Sequence, residues 1–589
     1  MLVCDYISKY ISDRNVSHIF CVTGGFAMFM NNSFGSNKKI KTVYTHGEQI
    51  AGYSAIGMAK VSNLPVVVST TAGVAATNTV SSALVAWQES LPVLFISGQV
   101  NTIETVRHLG NNIRHYSGQD CNIVEVVKTI TKYAVEVHNP NLIKVYLDRI
   151  FYELTTGRKG PCWLSVPLDI QNYEVDVDKL NSFDIIPEKI TNLHINKMMM
   201  LISNAKRPLI IAGNGIKLSG ASEIFNNFIK KFKIPTVASY NGIDIVSSDS
   251  DLYIGRCGIN GDRCGNFALQ NCDLLISFGC RLALGVIGYN ADQFSRESKK
   301  IMIDIDTREL DKNVINIDLK INGDIKKVIN ECIQYESTII CDNTWINTCN
   351  KWKKKWFRQL PPKNPELMGI NPYYFYHELC EIIPNNSCIV SSSGTIHTPM
   401  VHCFKNTKKI HFVMNSATGD MGSELPATIG ISMSNIYDHV IGLIGDGSFM
   451  FSLQALETIK CNGLAVKLII MNNNGYESIR VSQKNYFGNM YGTDETNGLT
   501  FPSFKDIATT FKFEYFYYDG NINKLEDILC DITQSTIIEI SCHGQDRFPK
   551  LGSSRNENGK IVSKPLEDMF PFLDRDEFNS NMIVKPLEI

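Results

Sequence analysis

The residues of this chain best suited to chemistry lie in two short polar clusters. Asp446 stands in Gly445-Asp446-Gly447-Ser448, and Asn473 stands in Asn472-Asn473-Asn474-Gly475. A carboxylate and an amide are hard oxygen ligands, suited to magnesium or calcium rather than zinc. The backbone N–H groups after Gly447 open a helical pattern, and a helix start suits an anion such as a diphosphate. A divalent ion joined to a diphosphate would satisfy both halves. A helix N-cap at Asp446 and an unrelated asparagine-rich turn would use the same residues, so the elements that position them decide the matter.

Val440 to Ile444 is a short apolar run of the kind that forms a buried parallel strand, and Val466 to Met471 is a second. Between them Phe449, Leu453, Leu456 and Ile459 recur at helical spacing, which predicts one helix ending at Cys461-Asn462-Gly463. In an open parallel sheet, ligands bind beyond the carboxyl ends of the strands, where both clusters sit. Gly445 and Gly447 allow positive φ or close approach of a ligand to the backbone.

The same alternation runs through the chain. Strands are expected at His18–Val22, Leu64–Ser69 and Pro92–Ser97, then at Pro208–Ala212, Thr236–Ala238, Leu274–Phe278 and Ile301–Ile305. Ile389-Val390 runs into Ser391-Ser392-Ser393-Gly394-Thr395, hydroxyls and a glycine apt for phosphate. The expected fold class is α/β, with three doubly wound parallel-sheet domains at 1–180, 190–345 and 365–545 and a tail at 546–589. Asn181 to Ile190 reads as a linker. Lys351 to Asn371, with its KWKKKWFRQLPPKNP run, reads as a solvated basic connection.

A chain of 589 residues is too long for one core. Hydrophobic content of 44% and charged content of 20% are those of a globular protein. A net charge of −2 gives no electrostatic case for nucleic acid or an anionic membrane. Seventeen scattered cysteines without a C-x-x-C pair fit reduced thiols in the cytoplasm. No apolar run approaches membrane-spanning length, and no signal or transit peptide is evident in the first residues.

Gly447 and Asn472 are separated by 24 residues, and GDG-x(24)-NN resembles the signature of thiamine-diphosphate enzymes. In that family the aspartate, the second asparagine and a carbonyl two residues later hold magnesium, which implies Asp446, Asn473 and Gly475 here. Gly445, Gly447 and Ser448 complete that turn, and Gly394 and Thr395 join it as cofactor-binding residues. Ala417-Thr418-Gly419-Asp420-Met421-Gly422 resembles a further family loop. There the glycine carbonyl receives the cofactor's 4′-amino group and the methionine props the cofactor into a bent shape, which implies Gly419 and Met421. A polarizable thioether suits that wedge.

His46-Gly47-Glu48-Gln49 leads into a small-residue helix from Ile50 to Gly57. A glutamate there is placed to be buried with a raised pKa, although the helix dipole gives it a simpler reason to stand at a helix start. The segment resembles the acetolactate synthase group, in which this glutamate hydrogen-bonds the cofactor's aminopyrimidine ring, so Glu48 is implied as catalytic. Gln119 matches a family glutamine facing the thiazolium. Thr23-Gly24-Gly25-Phe26-Ala27 and Thr71-Ala72-Gly73-Val74-Ala75-Ala76-Thr77-Asn78 match loops beside cofactor and substrate, implying Gly25 and Asn78. Val74 and Ala75 depart from the family's proline and glycine. His108 and His115 read as surface residues.

The resemblance covers nearly the whole chain and implies a 2-oxo acid substrate, thiamine diphosphate, Mg2+, and a homodimer or homotetramer with sites between subunits. In some members the middle domain also holds FAD. Here Arg281 is kept while the flavin loop's acidic residue and second arginine are not, so the resemblance does not by itself imply FAD. The tail resembles members encoded with sugar and polysaccharide genes. The expected function is carboligation or decarboxylation of a 2-oxo acid, with a sugar-type acceptor for the ligation; the alternatives are conventional acetolactate synthesis and hydrolysis of a dione, and an inactive regulatory role ranks last.

Overall fold

The computed structural model describes the chain except residues 111–112, 186–193, 336–340, 365, 408, 545–546, 556–558 and 588–589. Part of the expected linker at 181–190, and the expected boundary positions 190, 365, 545 and 546, lie outside the described residues.

Three six-stranded sheets follow one another along the chain. The first holds β1 (His18–Cys21), β2 (Lys41–Tyr44), β3 (Val66–Thr70), β4 (Val93–Gln99), β5 (Tyr133–Glu136) and β6 (Cys162–Pro167). The second holds β7 (Pro208–Ala212), β8 (Thr236–Ala238), β9 (Tyr253–Arg256), β10 (Leu274–Phe278), β11 (Lys299–Asp304) and β12 (Leu319–Asn322). The third holds β13 (Ser387–Ser391), β14 (His411–Met414), β15 (His439–Gly445), β16 (Val466–Asn472), β17 (Glu514–Tyr517) and β18 (Thr536–Ser541). Their orders are β2-β1-β3-β4-β6-β5, β12-β11-β10-β7-β8-β9 and β14-β13-β15-β16-β18-β17. Every pairing within them is parallel, for example Ile441 beside Lys467 and Gly445 beside Met471. Helices cover both faces, so central strands such as β7 and β10 are buried along their whole length.

The first and third domains meet at a helix crossing. The helix Glu48–Ser62 is buried from Ile50 to Ala59, and it packs against the helix Glu424–Met433. A methyl group added at Gly57 would collide with the Ala427 carbonyl, and one added at Gly430 with the Ser54 carbonyl. Small residues therefore let the two backbones touch, and the Ser54 hydroxyl donates to the Pro426 carbonyl at 3.1 Å. Gly430→Ala is expected to destabilise the protein by about 1–3 kcal/mol, the cost of overpacking. Urea unfolding curves measure it; an unchanged midpoint would mean that the helices separate freely.

Two expectations need correction. The single helix expected after Gly447 is two, Asp446–Met450 and Ala455–Cys461. Between them Ala455 and Leu456 donate to the carbonyls three residues earlier, at 2.9 and 3.0 Å. That tighter turn keeps the apolar side chains inward while interrupting the α-helix. The basic stretch from Lys351 is also not wholly a connection. Its first turns belong to the helix Asn343–Trp356, where Trp345, Trp352 and Trp356 share one buried face. Phe267 stacks on Trp352 and Trp356, with centroids 5.7 and 5.0 Å apart. The indole burial outweighs the lysine run: Lys351, Lys354 and Lys355 are exposed, and Lys353 donates to the Ser248 and Ser250 carbonyls at 2.7 and 2.9 Å.

The tail packs on the middle domain. Lys550–Leu551 pairs antiparallel with Met569–Phe570. The buried Arg263 guanidinium donates to the carbonyls of Met569 and Pro571 at 3.0 and 2.7 Å. Among the described residues no helix is long and apolar enough to cross a membrane.

Candidate active site

β15 carries its apolar run to Gly445, and the chain turns directly into Asp446, which is only 2% exposed. A carboxylate so buried must find donors. One oxygen accepts the Gly447 N–H at 2.7 Å; the other accepts the N–H groups of Asn473 and Gly475 at 3.1 and 3.0 Å. Burial pushes the Asp446 carboxyl up, while these three N–H groups and the Arg480 guanidinium pull it back toward the anion. The carbonyl ends of β15 and β16 are thus tied together through one side chain.

The glycines around it are required by close approach. A methyl group at Gly447 would collide with the Tyr476 ring, and one at Gly475, whose φ is +148°, with the Thr493 carbonyl. Arg480 fastens the asparagine turn, donating to the Asn473 carbonyl at 2.7 Å and to its Oδ1 at 3.3 Å. Glu477 holds the same guanidinium at 2.8 Å.

This donor set fits magnesium. An ionised carboxylate has about four acceptor positions, and three are filled, which leaves one for a cation. Among the described residues no group of three or more His, Cys, Asp or Glu side chains forms a metal cluster. The Gly447 N–H is spent on Asp446 itself.

Residues that the sequence did not single out complete this end. The Ser448 hydroxyl accepts the Gly422 N–H and donates to Glu424, both at 2.7 Å, joining the Met421 loop to the turn after β15. Burial pushes the Glu424 carboxyl up to about 7. His397 begins the helix His397–Cys403. Burial, aided by the charge of Arg547, pushes its imidazole down to about 4, so the ring is neutral. Its Nδ1 is shielded from solvent and has no hydrogen-bond partner. His397 is one of the residues around a cavity of about 200 Å³, with Ser391, Ser392, Ser393, Gly419, Asp420 and Glu424. The hydroxyls of that lining suit a phosphate group. Gly394 (φ +71°) and Thr395 lie on the same loop. Gly419 (φ +60°) has open space where a side chain would stand, and Met421 is half-buried.

The first domain assembles a second group. Gly24 packs against Thr71, whose hydroxyl accepts the Phe26 N–H at 3.1 Å, and Gly25 opens onto free space. The Asn78 amide donates to Glu48 at 3.1 Å. Glu48 is half-exposed rather than buried, because it is the first residue of its helix and coverage begins at Ile50. Gln119 is exposed, lies against Gly73, and holds φ +70°, a strained value for a residue with a side chain. His108 and His115 are exposed, as expected. Among the described residues no hydrogen bond joins Glu48, Asn78 or Gln119 to Asp446, Asn473 or Gly475.

A larger cavity of about 1000 Å³ opens at the carboxyl ends of the middle sheet. Arg281, Arg158, Lys159, Asp304 and Ala283 to Val286 line it, together with Ser416 and Ala417 of the third domain. Basic groups for a diphosphate and carboxylates for ribose hydroxyls fit a nucleotide.

Comparison with known proteins agrees with this architecture. Residues 1–126 match the N-terminal TPP binding domain of thiamine pyrophosphate enzymes, 195–332 the central domain, and 392–540 the C-terminal TPP binding domain. The chain is 30% identical over 502 residues to a probable acetolactate synthase large subunit of Methanocaldococcus jannaschii, covering 82% of each chain. It is 28% identical over 487 residues to the acetolactate synthase large subunit of Lactococcus lactis, again covering 82% of each. With the chloroplastic acetolactate synthase of Arabidopsis thaliana it shares 29% over 483 residues, 80% of this chain and 69% of the relative. Asp446 and the asparagine turn thus stand within matched thiamine-pyrophosphate domains, and the chain belongs to the acetolactate synthase-like thiamine-diphosphate enzymes.

Proposed function

We propose that this enzyme decarboxylates a 2-oxo acid and joins the remaining fragment to a second carbonyl compound, a bulky sugar-type acceptor. The observation that carries the reading is the buried Asp446, held by three N–H groups with one acceptor position left. Thiamine diphosphate, when bound, supplies an electron sink for the carbon that loses carbon dioxide.

The chain's residues do the rest in this reading. Asp446, Asn473 and the Gly475 carbonyl hold Mg2+. Ser448, Gly394 and Thr395 would receive the diphosphate. Gly445 and Gly447 would carry the turn beside it, with Tyr476 packed against Gly447. Gly419 accepts the cofactor's amino group, and Met421 wedges between its rings. Glu48 exchanges a proton at its carboxylate with the aminopyrimidine, oriented by Asn78. Gly25 and Gln119 border the reacting face.

The family resemblance supports a site shared by two copies, in a homodimer or homotetramer. Seventeen unpaired cysteines support a reducing, cytoplasmic setting.

Three features support a bulky acceptor. Val74 is 73% exposed on the loop that departs from the family pattern. The Ala283–Val286 wall is uncharged, and the cavity behind it reaches Ser416 and Ala417. The same cavity has the size and charge for FAD, and flavin absorbance of the purified protein would assign it to FAD instead. The test of function incubates enzyme, thiamine diphosphate, magnesium and pyruvate with and without a nucleotide-linked keto-sugar, following carbon dioxide and product mass. The expected result is a sugar-dependent adduct; rapid acetolactate formation indifferent to the sugar would make this a conventional acetolactate synthase.

A further inference from the structure

We propose that Glu89, a residue of the first domain, is the positioning residue for the third-domain loop that carries Gly419 and Met421. The inference rests on the cofactor reading of those two residues. Glu89 ends the helix Val80–Glu89 and is 6% exposed. A carboxylate at that depth persists only where its oxygens are bonded. One oxygen accepts the Ala417 backbone N–H at 2.9 Å. The other accepts the Asn241 side-chain amide at 3.1 Å, with the Lys60 ammonium 3.7 Å away.

These partners converge on one stretch of chain. The Asn241 amide also donates to Ser416 Oγ at 2.9 Å, and Lys60 donates to the Met414 carbonyl at 2.5 Å. Met414, Ser416 and Ala417 form the passage from β14 into the loop. From there the loop fixes itself: the Gly419 N–H donates to the Asn415 carbonyl at 2.9 Å, and the Asn415 amide donates to Ser423 at 2.9 Å. Its far end is tied by the Gly422 N–H to Ser448. The third domain therefore holds the exit, while the first and middle domains hold the entry through Glu89. Hydrogen bonds to an ionised acceptor are among the stronger ones, and small misplacements of a reacting group are costly.

The test compares Glu89→Gln, Glu89→Asp and Asn241→Ala with the parent. Two readouts are taken: backbone hydrogen exchange of the cofactor-free protein across residues 415–423, and thiamine-diphosphate affinity by calorimetry with magnesium. Glu89→Gln is expected to speed exchange at Ala417 to Gly422 and to weaken cofactor binding, each by about tenfold, the size of one or two lost hydrogen bonds. Exchange in β4 and β14 stays unchanged. Glu89→Asp recovers part of both effects, and Asn241→Ala combined with Glu89→Gln adds less than the sum, as residues of one network do. Faster loop exchange with unchanged cofactor affinity keeps the hold of Glu89 on the loop and removes Gly419 and Met421 from the cofactor. Loop exchange equal to the parent in Glu89→Gln overturns the proposal.

Discussion

Asp446→Ala is expected to lose thiamine diphosphate, with affinity in the presence of magnesium falling by roughly 100-fold or more. In the proposed reading the side chain has two duties, and the substitution ends both. It removes the proposed anionic metal ligand, and it strips the N–H groups of Gly447, Asn473 and Gly475 of their acceptor. Unsatisfied buried donors cost about 1–3 kcal/mol each, so the alanine variant also loosens the junction of β15 and β16. Asp446→Asn separates the duties: its amide oxygen still accepts N–H groups, while the charge that draws magnesium is gone. Calorimetry on both variants measures the effect. Parent-like affinity in Asp446→Asn would show that the carboxylate holds the turn together and does not hold a metal.

Glu48→Gln should leave the cofactor bound and lower turnover by roughly two to four orders of magnitude, the span of general acid–base catalysis. Glutamine keeps the size and an acceptor for the Asn78 amide, so the local fold survives; only the titratable proton is removed. Deuterium exchange at the thiazolium carbon, followed by NMR in the loaded enzyme, reports that proton directly. A variant that exchanges as fast as the parent would take Glu48 out of the chemistry and leave it as a helix-start residue stabilised by the dipole.

Much of the framework was legible because buried parallel strands are continuous apolar runs. β7, β8 and β10 fall on the expected residues, and β15 and β16 differ by a residue at their ends. The meeting of Asp446 with Asn473 and Gly475 was legible for a related reason: neighbouring strands of one sheet deliver their following turns to the same edge. What stayed hidden depends on partners distant in sequence. Glu424 sits in an apolar helix start, and its burial is settled by Ser448, which no local pattern announces. Glu89 looks like an ordinary helix-end charge until Ala417 and Asn241 arrive from two other domains. The tryptophan helix was masked by lysines that share its turns. The break after Met450 was masked because a tighter turn preserves the apolar spacing that signals a helix.

The first and third sheets share one strand order, and each sends a helix from its second strand into the same crossing. Gly57 meets Ala427 as Gly430 meets Ser54, so the pair is related by an approximate internal dyad. Two copies of one ancestral unit, fused head to tail along a chain, would produce this arrangement. Glu48 and Glu424 are each the first residue of a crossing helix, although the dyad itself sets Glu48 against Met421. One copy has kept its carboxylate half-open at the rim, and the other has sealed its own against a serine. The crossing is thus symmetric where the two helices touch and asymmetric where they begin.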